Sequence, residues 1–321
     1  MRNDVLVVEI SGKRPGGSDK RPTEKFTIRH DHLIISNNAD GYITEWPIVM
    51  VPDDFKEDYI SRYKTSESAW YAPMNRSYAI KYAREKGYKY LVQLDDNIYR
   101  LEIAYLLKGR IAKRYRATSS TDMMDDFIEM LVCVLENTDA GMAGCGLSGV
   151  AIPDKTFMSE RYVYSLFALD LSVCPDCFQG DFEDDIEYRL KLGQMGVPAV
   201  QVAPLRYTKT SQFSGKKDES GNRAAYTKAG TARGEHMRVL YGDKYSCGLR
   251  SKTAGIRCEK KAGTSYFQHR LIPWKVGVKV RDRGAIEEKF TWLLAKYAKK
   301  TPDKYVIKEK KVKKDAHGQT T

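Results

Sequence analysis

The sequence is short of several features that would place it in familiar classes of protein. Six cysteines are scattered over 321 residues, which does not suit the dense disulfide framework of a small secreted domain. There is no run of about 18 apolar residues of the kind that crosses a membrane. The opening residues, MRNDVLVVEI, mix charges with a short apolar run and lack the layout of a signal peptide. We therefore expect a cytoplasmic protein that does not associate with membranes.

Two further motifs are incomplete. The glycine-rich segment 140–149 (AGMAGCGLSG) lacks both the Lys-Ser/Thr of a P-loop and a GxGxxG register, so a tight turn before a strand is favoured over a phosphate loop. Cys174 and Cys177 have CxxC spacing, and Cys247 and Cys258 are the available partners for zinc. Because no second CxxC follows, buried free thiols are favoured over a zinc site.

The charge distribution is uneven along the chain. Residues 1–200 contain 25 Lys and Arg against 31 Asp and Glu, whereas residues 201–321 contain 29 against 11. Apolar residues make up 42% of the chain, enough for a substantial core. This asymmetry predicts an acidic catalytic part followed by a basic part that faces a polyanion.

Composition and spacing together predict four segments. Residues 1–25 form an N-terminal strand and polar loop, and residues 26–243 form a catalytic domain that contains a mobile loop at 208–234. Residues 244–298 form a basic extension that would face a polyanion such as DNA. Residues 299–321 form a lysine-rich, partly disordered tail, with eight lysines between 299 and 314.

Strand and helix signals alternate within the catalytic segment. Strands are expected at 26–36, 46–52, 88–94, 161–173 and 197–202. Helices are expected at 76–86, with Asn75 as its cap and Gly87 as its stop, and at 122–136, capped by Asp122. Such alternation predicts an α/β fold with a mostly parallel, Rossmann-like sheet flanked by helices.

The strand at 88–94 leads directly into Asp95, Asp96 and Asn97. Ligands of open α/β sheets bind at the carboxyl ends of strands, and carboxylate and amide oxygens suit Mg²⁺ or Mn²⁺. The triplet is therefore predicted to hold a divalent cation together with the diphosphate or ribose of a nucleotide-sugar. The alternative is a pair of strand-end acids in an ordinary turn.

A second acidic cluster precedes a helix at about 184–192, and comprises Asp181, Glu183, Asp184 and Asp185. Acids in a first helical turn are favoured by the helix dipole alone, but four in five residues exceed that need. One of them is predicted to be the general base that deprotonates an acceptor hydroxyl. Asp184 is the first choice, Asp185 the second and Glu183 the third.

Three other residues are candidate contacts of the donor. Asp53, just after the second strand, could meet the pyrimidine or ribose, or simply cap the helix that follows. Asn75 and Arg76, at a predicted helix start, could contact the diphosphate, although a solvated arginine is an equal alternative.

At these motifs the chain resembles a known family. Segment 75–97, from Asn-Arg-Ser-Tyr-Ala to Leu-Asp-Asp-Asn, looks like the DXD region of GT-A glycosyltransferases, and segment 182–190 (FEDDIEYRL) looks like their later acidic motif. Over roughly residues 26–210 the chain most resembles the TET-associated glycosyltransferases, found largely in phages and related to base J glucosyltransferases. The resemblance implies a GT-A fold.

The resemblance also implies an activity. A sugar would pass from a UDP-sugar to 5-hydroxymethylcytosine (favoured) or 5-hydroxymethyluracil in DNA, after a TET/JBP-type dioxygenase has made that base, with Mn²⁺ or Mg²⁺ assisting and with inversion favoured. A C-terminal histidine often completes the metal site in such enzymes, and His236 is the first choice here, with His269 as the alternative.

Two other functions stay open at this point. A GT-A transferase or nucleotidyltransferase could use the same metal chemistry on a protein or glycan acceptor. A catalytically degenerate DNA-binding module is the other reading, supported by Asn97 where related enzymes have a third aspartate.

Overall fold

The computed structural model describes residues 2–63, 71–107, 110–117, 122–148, 157–161, 163–179, 184–210, 235–251, 265–271, 276–297 and 307. The helices are α1 (Asp53–Tyr63), α2 (Tyr71–Glu85), α3 (Met123–Glu136), α4 (Asp184–Gln194), α5 (Glu235–Tyr241) and α6 (Arg283–Tyr297). The strands are β1 (Val5–Ser11), β2 (Asp31–Ser36), β3 (Ile48–Met50), β4 (Tyr90–Asp95), β5 (Ile98–Leu107), β6 (Arg110–Ala117), β7 (Met142–Leu147), β8 (Met158–Ser159), β9 (Leu166–Asp170), β10 (Ala199–Lys209), β11 (Tyr245–Ser251) and β12 (Ser265–Leu271). Most of the predicted mobile loop and of the lysine-rich tail lies outside these ranges.

One large sheet organises the molecule, in the strand order β3-β2-β1-β4-β9-β7-β10-β5-β6, with β8 attached to β10. The four strands at one end of this order, β3, β2, β1 and β4, are parallel to one another. From β9 onward antiparallel pairs predominate, while β7 and β10 are parallel. The predicted Rossmann-like α/β fold is confirmed, but the sheet is mixed rather than mostly parallel, because β9 inserts antiparallel between β4 and β7.

β1 is an inner strand of this sheet. Its sequence, VLVVEIS, is buried along its whole length, as expected for a strand covered on both faces. The register aligns Ile10 with Asp95 of β4, and Ser11 with Ser36 of β2. The carboxyl ends of β1, β2 and β4 therefore lie side by side at one edge of the sheet.

Helix α2 begins earlier than the sequence pattern predicts. It starts at Tyr71, with Pro73 in the first turn where proline is tolerated. Asn75 is therefore inside the helix and does not cap it, so the predicted cap is wrong. Arg76 consequently lies in the second turn of α2, and its side chain contacts Gln93 and Asp95 of β4.

The glycine-rich segment is neither a phosphate loop nor a turn, but the buried strand β7. A Cβ at Gly144 would lie 2.1 Å from Val163 Cγ1, and a Cβ at Gly146 would lie 2.3 Å from Arg206 Nη1. Glycine is therefore favoured at these two positions by close packing against Val163, in the segment before β9, and Arg206, in β10, which a local pattern of glycines does not reveal.

The C-terminal helix α6 packs against α3. Phe290 meets Phe157 edge to face with ring centroids 4.8 Å apart, and Ile286, Phe290 and Leu293 belong to the main core. The pattern of apolar and charged residues in segment 285–298 (AIEEKFTWLLAKYA) also predicts an amphipathic helix, and the structure confirms it. Two of its lysines face α3 as well: Lys296 Nζ is 2.6 Å from Asp126 Oδ2, and Lys289 Nζ is 3.6 Å from Glu129 Oε2.

A buried histidine joins the start of β2 to α3. His30 Nδ1 lies 2.7 Å from Asp125 Oδ1 and its Nε2 lies 3.0 Å from Glu129 Oε1. Against the penalty of burial, these two hydrogen bonds raise the pKa of His30 to about 9. At neutral pH the imidazole is therefore charged and donates from both nitrogens.

The two cysteines of the CxxC motif lie in different surroundings. Cys174 is buried and donates to the Gly141 carbonyl, while Cys177 contacts the Tyr63 hydroxyl at 2.9 Å. Both are free thiols, and the side chains of Cys247 and Cys258 lie outside the described part of the chain.

Among the described helices, none has the length and apolar character to cross a membrane.

Candidate active site

One arginine joins the two acidic motifs that the sequence singles out. Arg76 donates from Nη2 to Asp95 Oδ1 at 2.6 Å and from Nε to Asp184 Oδ2 at 2.5 Å, while its Nη1 reaches Gln93 Oε1 at 3.1 Å. The side chain is 4% exposed and lies against the ring of Phe167. The end of β4 and the start of α4 therefore lie on either side of one guanidinium group.

Asp95 has a second cationic partner from β10. Lys209 Nζ is 3.0 Å from Asp95 Oδ2 and also donates to Ser165 Oγ at 2.7 Å. Although burial opposes it, the charges of Lys209 and Arg76 lower the pKa of Asp95 below its ordinary value. The carboxylate is therefore fully ionised at neutral pH and is held by one cation at each oxygen.

Asp96 turns toward the end of β1. It accepts a hydrogen bond from Ser11 Oγ at 2.8 Å and pairs with Arg14 Nη1 at 3.1 Å. Burial raises the pKa of Asp96, and the charge of Arg14 opposes that shift. Adjacent aspartates at one strand end are thus kept apart, each with its own basic partner.

The loops after β1 and β2 are fixed by a fully buried arginine. Arg21 donates from Nη1 to the carbonyls of Arg14 and Gly16, at 2.8 Å each, and its guanidinium lies 4.0 Å from the ring centre of Tyr42. Tyr42 in turn shares a hydrogen bond with Ser11 at 2.8 Å. The position of Arg14 beside Asp96 is therefore built into the fold.

Two amide oxygens near these carboxylates are buried without a hydrogen-bond partner, Oδ1 of Asn75 and Oδ1 of Asn97. A buried acceptor without a donor is costly unless a ligand or water completes it. Asn97 immediately follows the two aspartates in sequence. Carboxylate and amide oxygens are chemically suited to a hard divalent cation, although the described residues contain no group of three or more His, Cys, Asp or Glu placed to hold a metal.

Helix α4 presents acids on more than one face. Asp184 is buried on Arg76, whereas Asp185 is half-buried and its Oδ1 accepts from the Ile186 amide at 2.9 Å. One turn on, Glu187 is fully buried and accepts from the Tyr241 hydroxyl of α5 at 2.5 Å. Burial raises the pKa of Glu187 to about 7.

The comparisons with known proteins bear on this arrangement. The family model described as TET-Associated Glycosyltransferase matches residues 22–217, which is more than half of the chain and includes both acidic motifs. The chain belongs to this family. No curated protein matches it.

The family membership confirms the resemblance seen in the sequence. As a TET-associated glycosyltransferase, the protein is an enzyme that transfers a sugar, in a family linked to TET/JBP-type DNA modification. In the site, one strand-end carboxylate, Asp95, and one helix-start carboxylate, Asp184, meet at the same guanidinium group.

The structure brings most of the predicted site residues of this glycosyltransferase together, but not all. Arg76 joins Asp95 and Asp184 by ion pairs, Asn75 and Asp96 both contact Ser11, and Asn97 and Asp185 adjoin these groups in sequence. Asp53 is the first residue of α1, and its 89% exposed side chain pairs with Lys56. His236 is the second residue of α5, its side chain lies outside the description, and Glu183 lies outside the described residues. The roles of these residues stay predictions.

Four polar residues of the site were not predicted from the sequence: Ser11, Arg14, Ser165 and Lys209. Ser11 and Lys209 end strands that terminate at the same edge as β4, so strand-end position was a usable signal. Arg14 and Ser165 carry no comparable signal, because they reach the aspartates through loop geometry.

Proposed function

We propose that this glycosyltransferase moves a sugar from a UDP-sugar to the hydroxymethyl group of a 5-hydroxymethylpyrimidine in DNA, with 5-hydroxymethylcytosine favoured. The proposal is supported chiefly by the Arg76 bridge, because Asp95, the carboxylate proposed for the donor side, and Asp184, the carboxylate proposed for the acceptor side, both pair with this guanidinium. The family links such chemistry to DNA modified by TET/JBP-type dioxygenases. Such a dioxygenase would supply the hydroxymethylated base.

The donor would lie at the carboxyl ends of β1, β2 and β4. Arg14 and Lys209 each place a positive charge on a strand-end aspartate, so together they can neutralise the oxygens of a diphosphate that approaches the same edge. Asn75 offers a buried carbonyl oxygen without a hydrogen-bond partner, which can accept from a hydroxyl of a ribose or sugar.

A divalent cation, Mn²⁺ or Mg²⁺, would be held by Asp95, Asp96 and Asn97. When bound, it would supply Lewis-acid stabilisation of the leaving diphosphate. Lys209 already neutralises one oxygen of Asp95 at 3.0 Å. Binding of the cation would therefore compete with that ion pair.

The acceptor would enter from the α4 side. In an inverting reaction the hydroxyl oxygen forms the new bond to the sugar, the bond to the diphosphate breaks, and the hydroxyl proton passes to a carboxylate. Asp184 and Asp185 are the proposed bases. The two differ in setting, because one oxygen of Asp184 is already engaged by Arg76 while Asp185 is less buried.

The test is a transfer assay. The full chain, Mn²⁺ and a panel of UDP-sugars would be incubated with DNA that contains 5-hydroxymethylcytosine, 5-hydroxymethyluracil or unmodified bases, and the digested nucleosides analysed by mass spectrometry. We expect a hexose-sized mass gain on a hydroxymethylated nucleoside only. No gain on any DNA, with UDP-sugar hydrolysis still measurable, would move the acceptor to a protein or glycan.

A matched pair of variants tests the site itself. Asp95→Asn removes one charge from the Arg76 and Lys209 network and should abolish donor binding. Asp58→Asn makes the same change at an exposed ion pair with Arg62 in α1 and should leave transfer intact. Equal donor affinity in the two variants would show that the donor binds elsewhere. Salt-sensitive DNA binding without turnover in the unaltered chain would favour a DNA-binding module.

A further inference from the structure

Glu187 is a buried carboxylate that the proposed chemistry does not use. It lies one turn after Asp184 in α4, and its side chain is completely buried. Oε1 accepts a hydrogen bond from the Tyr241 hydroxyl at 2.5 Å, and Oε2 accepts one from the Gln179 amide at 3.0 Å. Because burial of an unpaired charge is costly, such donors are needed at this depth. Each oxygen of Glu187 therefore connects α4 to a different part of the chain.

The bond to Gln179 holds the chain that leads into α4. Phe178, the preceding residue, is tied to α2, because its amide donates to Ser77 Oγ at 3.0 Å. The ring of Phe178 also stacks on Tyr188 of α4, with ring centroids 4.0 Å apart. The chain before the acidic motif is thus attached to α2 through Ser77 and to α4 through Glu187.

The bond to Tyr241 joins α4 to α5. The two helices share a small apolar cluster, to which α4 contributes Ile186 and Leu190 and α5 contributes Met237 and Tyr241. Tyr241 is buried, so its hydroxyl meets Glu187 away from bulk water, where a hydrogen bond to a charged group is strong. α5 lies beyond residues 22–217, which the family model matches. A helix outside the matched range therefore reaches the helix that carries the candidate bases.

The first turn of α4 is held on both sides of Asp185. Arg76 pairs with Asp184 at 2.5 Å, and Gln179 and Tyr241 hold Glu187. A general base must stay within hydrogen-bond reach of the hydroxyl that it deprotonates, and a misplacement of about 1 Å can lower the rate about 100-fold. The contacts of Glu187 therefore bear on the placement of both candidate bases.

We infer that Tyr241 and Glu187 are positioning residues, and that the hydrogen bond between them sets the orientation of Asp184 and Asp185 toward the acceptor. The inference rests on the proposed function, since it takes one of these two aspartates as the base. Tyr241 and Glu187 act through α4 and do not touch the reacting atoms. α5 is then a working part of the active site.

The charge on Glu187 makes this role measurable. Among the described residues, the titratable groups that interact with it are Tyr241 of α5, Tyr59 and Tyr63 of α1, and Asp184, Tyr188 and Lys191 of α4. Burial raises the pKa of Glu187 to about 7, and the hydrogen bonds from Tyr241 and Gln179 oppose that shift. Protonation removes the charged acceptor of both bonds. Turnover of the unaltered protein should therefore fall as the pH decreases through about 7.

Three variants separate positioning from general stability. Tyr241→Phe removes the hydroxyl and keeps the ring in its apolar cluster. Glu187→Gln keeps the shape of the side chain but cannot ionise, and it provides a second test that does not alter α5. Tyr297→Phe is the matched control, because the buried Tyr297 also donates to a buried carboxylate at 2.5 Å, that of Asp126 in α3. It removes the same kind of bond from a helix that carries none of the proposed site residues.

The measurement is the pH dependence of kcat and KM for transfer to a duplex that contains 5-hydroxymethylcytosine, between about pH 5.5 and 9.5, with UDP affinity measured by calorimetry. Loss of a hydrogen bond to the charged form raises the pKa of Glu187 further, so the acid limb of kcat should move up by about 1 to 2 pH units in Tyr241→Phe. At pH 7 this shift corresponds to a fall in kcat of about 5- to 50-fold, with UDP affinity unchanged. Glu187→Gln should be slow at every pH and lack this limb, whereas Tyr297→Phe should match the unaltered protein.

Four results would overturn the inference. They are an acid limb in Tyr241→Phe that coincides with that of the unaltered protein, an equal shift in Tyr241→Phe and Tyr297→Phe, a loss of UDP affinity together with kcat in Tyr241→Phe, and full turnover by Glu187→Gln. Failure of the proposed function has a different appearance, because the unaltered chain would then add no sugar to hydroxymethylated DNA. The same pH series on UDP-sugar hydrolysis, which also requires a base to deprotonate the attacking water, would then decide the inference by the same outcomes.

Discussion

The charged histidine between β2 and α3 predicts a specific dependence of stability on pH. His30 has an ordinary pKa of 6.5 and a pKa of about 9 in the folded protein. A group whose pKa is raised by folding stabilises the protein fully below its unfolded pKa, and this stabilisation is lost as the pH rises through the folded value. At 1.36 kcal/mol per pKa unit, the shift corresponds to about 3 kcal/mol.

Urea unfolding at several pH values between about 6 and 10 would measure this contribution by linear extrapolation. The substitution is His30→Gln, which retains a hydrogen-bonding side chain but cannot carry a charge. We expect the variant to be less stable than the unaltered protein by about 3 kcal/mol near pH 6. The two should converge near pH 10, because His30 is then neutral in both the folded and unfolded states.

His32→Gln provides the control. His32 is two residues away, with Nδ1 2.9 Å from the His30 carbonyl oxygen, and its loss leaves the contacts of His30 with Asp125 and Glu129 in place. This variant should keep the pH dependence of the unaltered protein whatever its overall stability. If the difference between the unaltered protein and His30→Gln is the same at pH 6 and pH 10, the imidazole is not charged in the fold and the reasoning fails.

Four substitutions in the site lead to further predictions. Arg76→Met leaves Asp95 and Asp184 without their shared cation and should lower the free energy of unfolding by about 3 to 5 kcal/mol; an unchanged melting temperature would contradict the bridge. Asp184→Asn should reduce both stability and turnover. Asp185→Asn should reduce turnover alone if Asp185 is the base. Normal transfer by Asp185→Asn would leave the role of base to Asp184. Lys209→Met removes the ammonium group that competes with a metal ion for Asp95, and it should tighten Mn²⁺ binding several-fold, as measured by calorimetry. Weaker Mn²⁺ binding would show that Lys209 does not occupy the cation site.

Local patterns in the sequence predicted the elements that carry the aspartates, but not the contacts that join them. The strand that ends in Asp95 and the helix that starts at Asp184 are both evident from apolar runs followed by acids. Their connection through Arg76 is not, because it spans 108 residues between Arg76 and Asp184. The same holds for Lys209, which reaches Asp95 over 114 residues.

The wrong predictions have physical causes of the same kind. Gly144 and Gly146 suggested a turn or loop, yet they lie in a paired strand, where Val163 and Arg206 pack closely against them. The parallel sheet was inferred from the alternation of strands and helices, and β9 breaks it because it follows β7 without an intervening helix among the described residues. Long-range packing decides both cases, and no local window contains it.

The guanidinium shared between Asp95 and Asp184 has a consequence for recombining members of this family. A chimaera that takes the segment around residues 71–97 from one relative and the segment around 184–194 from another must match the charge at both ends of the bridge. If only one partner changes, a buried ion is left without its counterion. The two acidic motifs are therefore expected to be exchangeable as a unit and not separately, so crossover points are better placed outside both segments than between them.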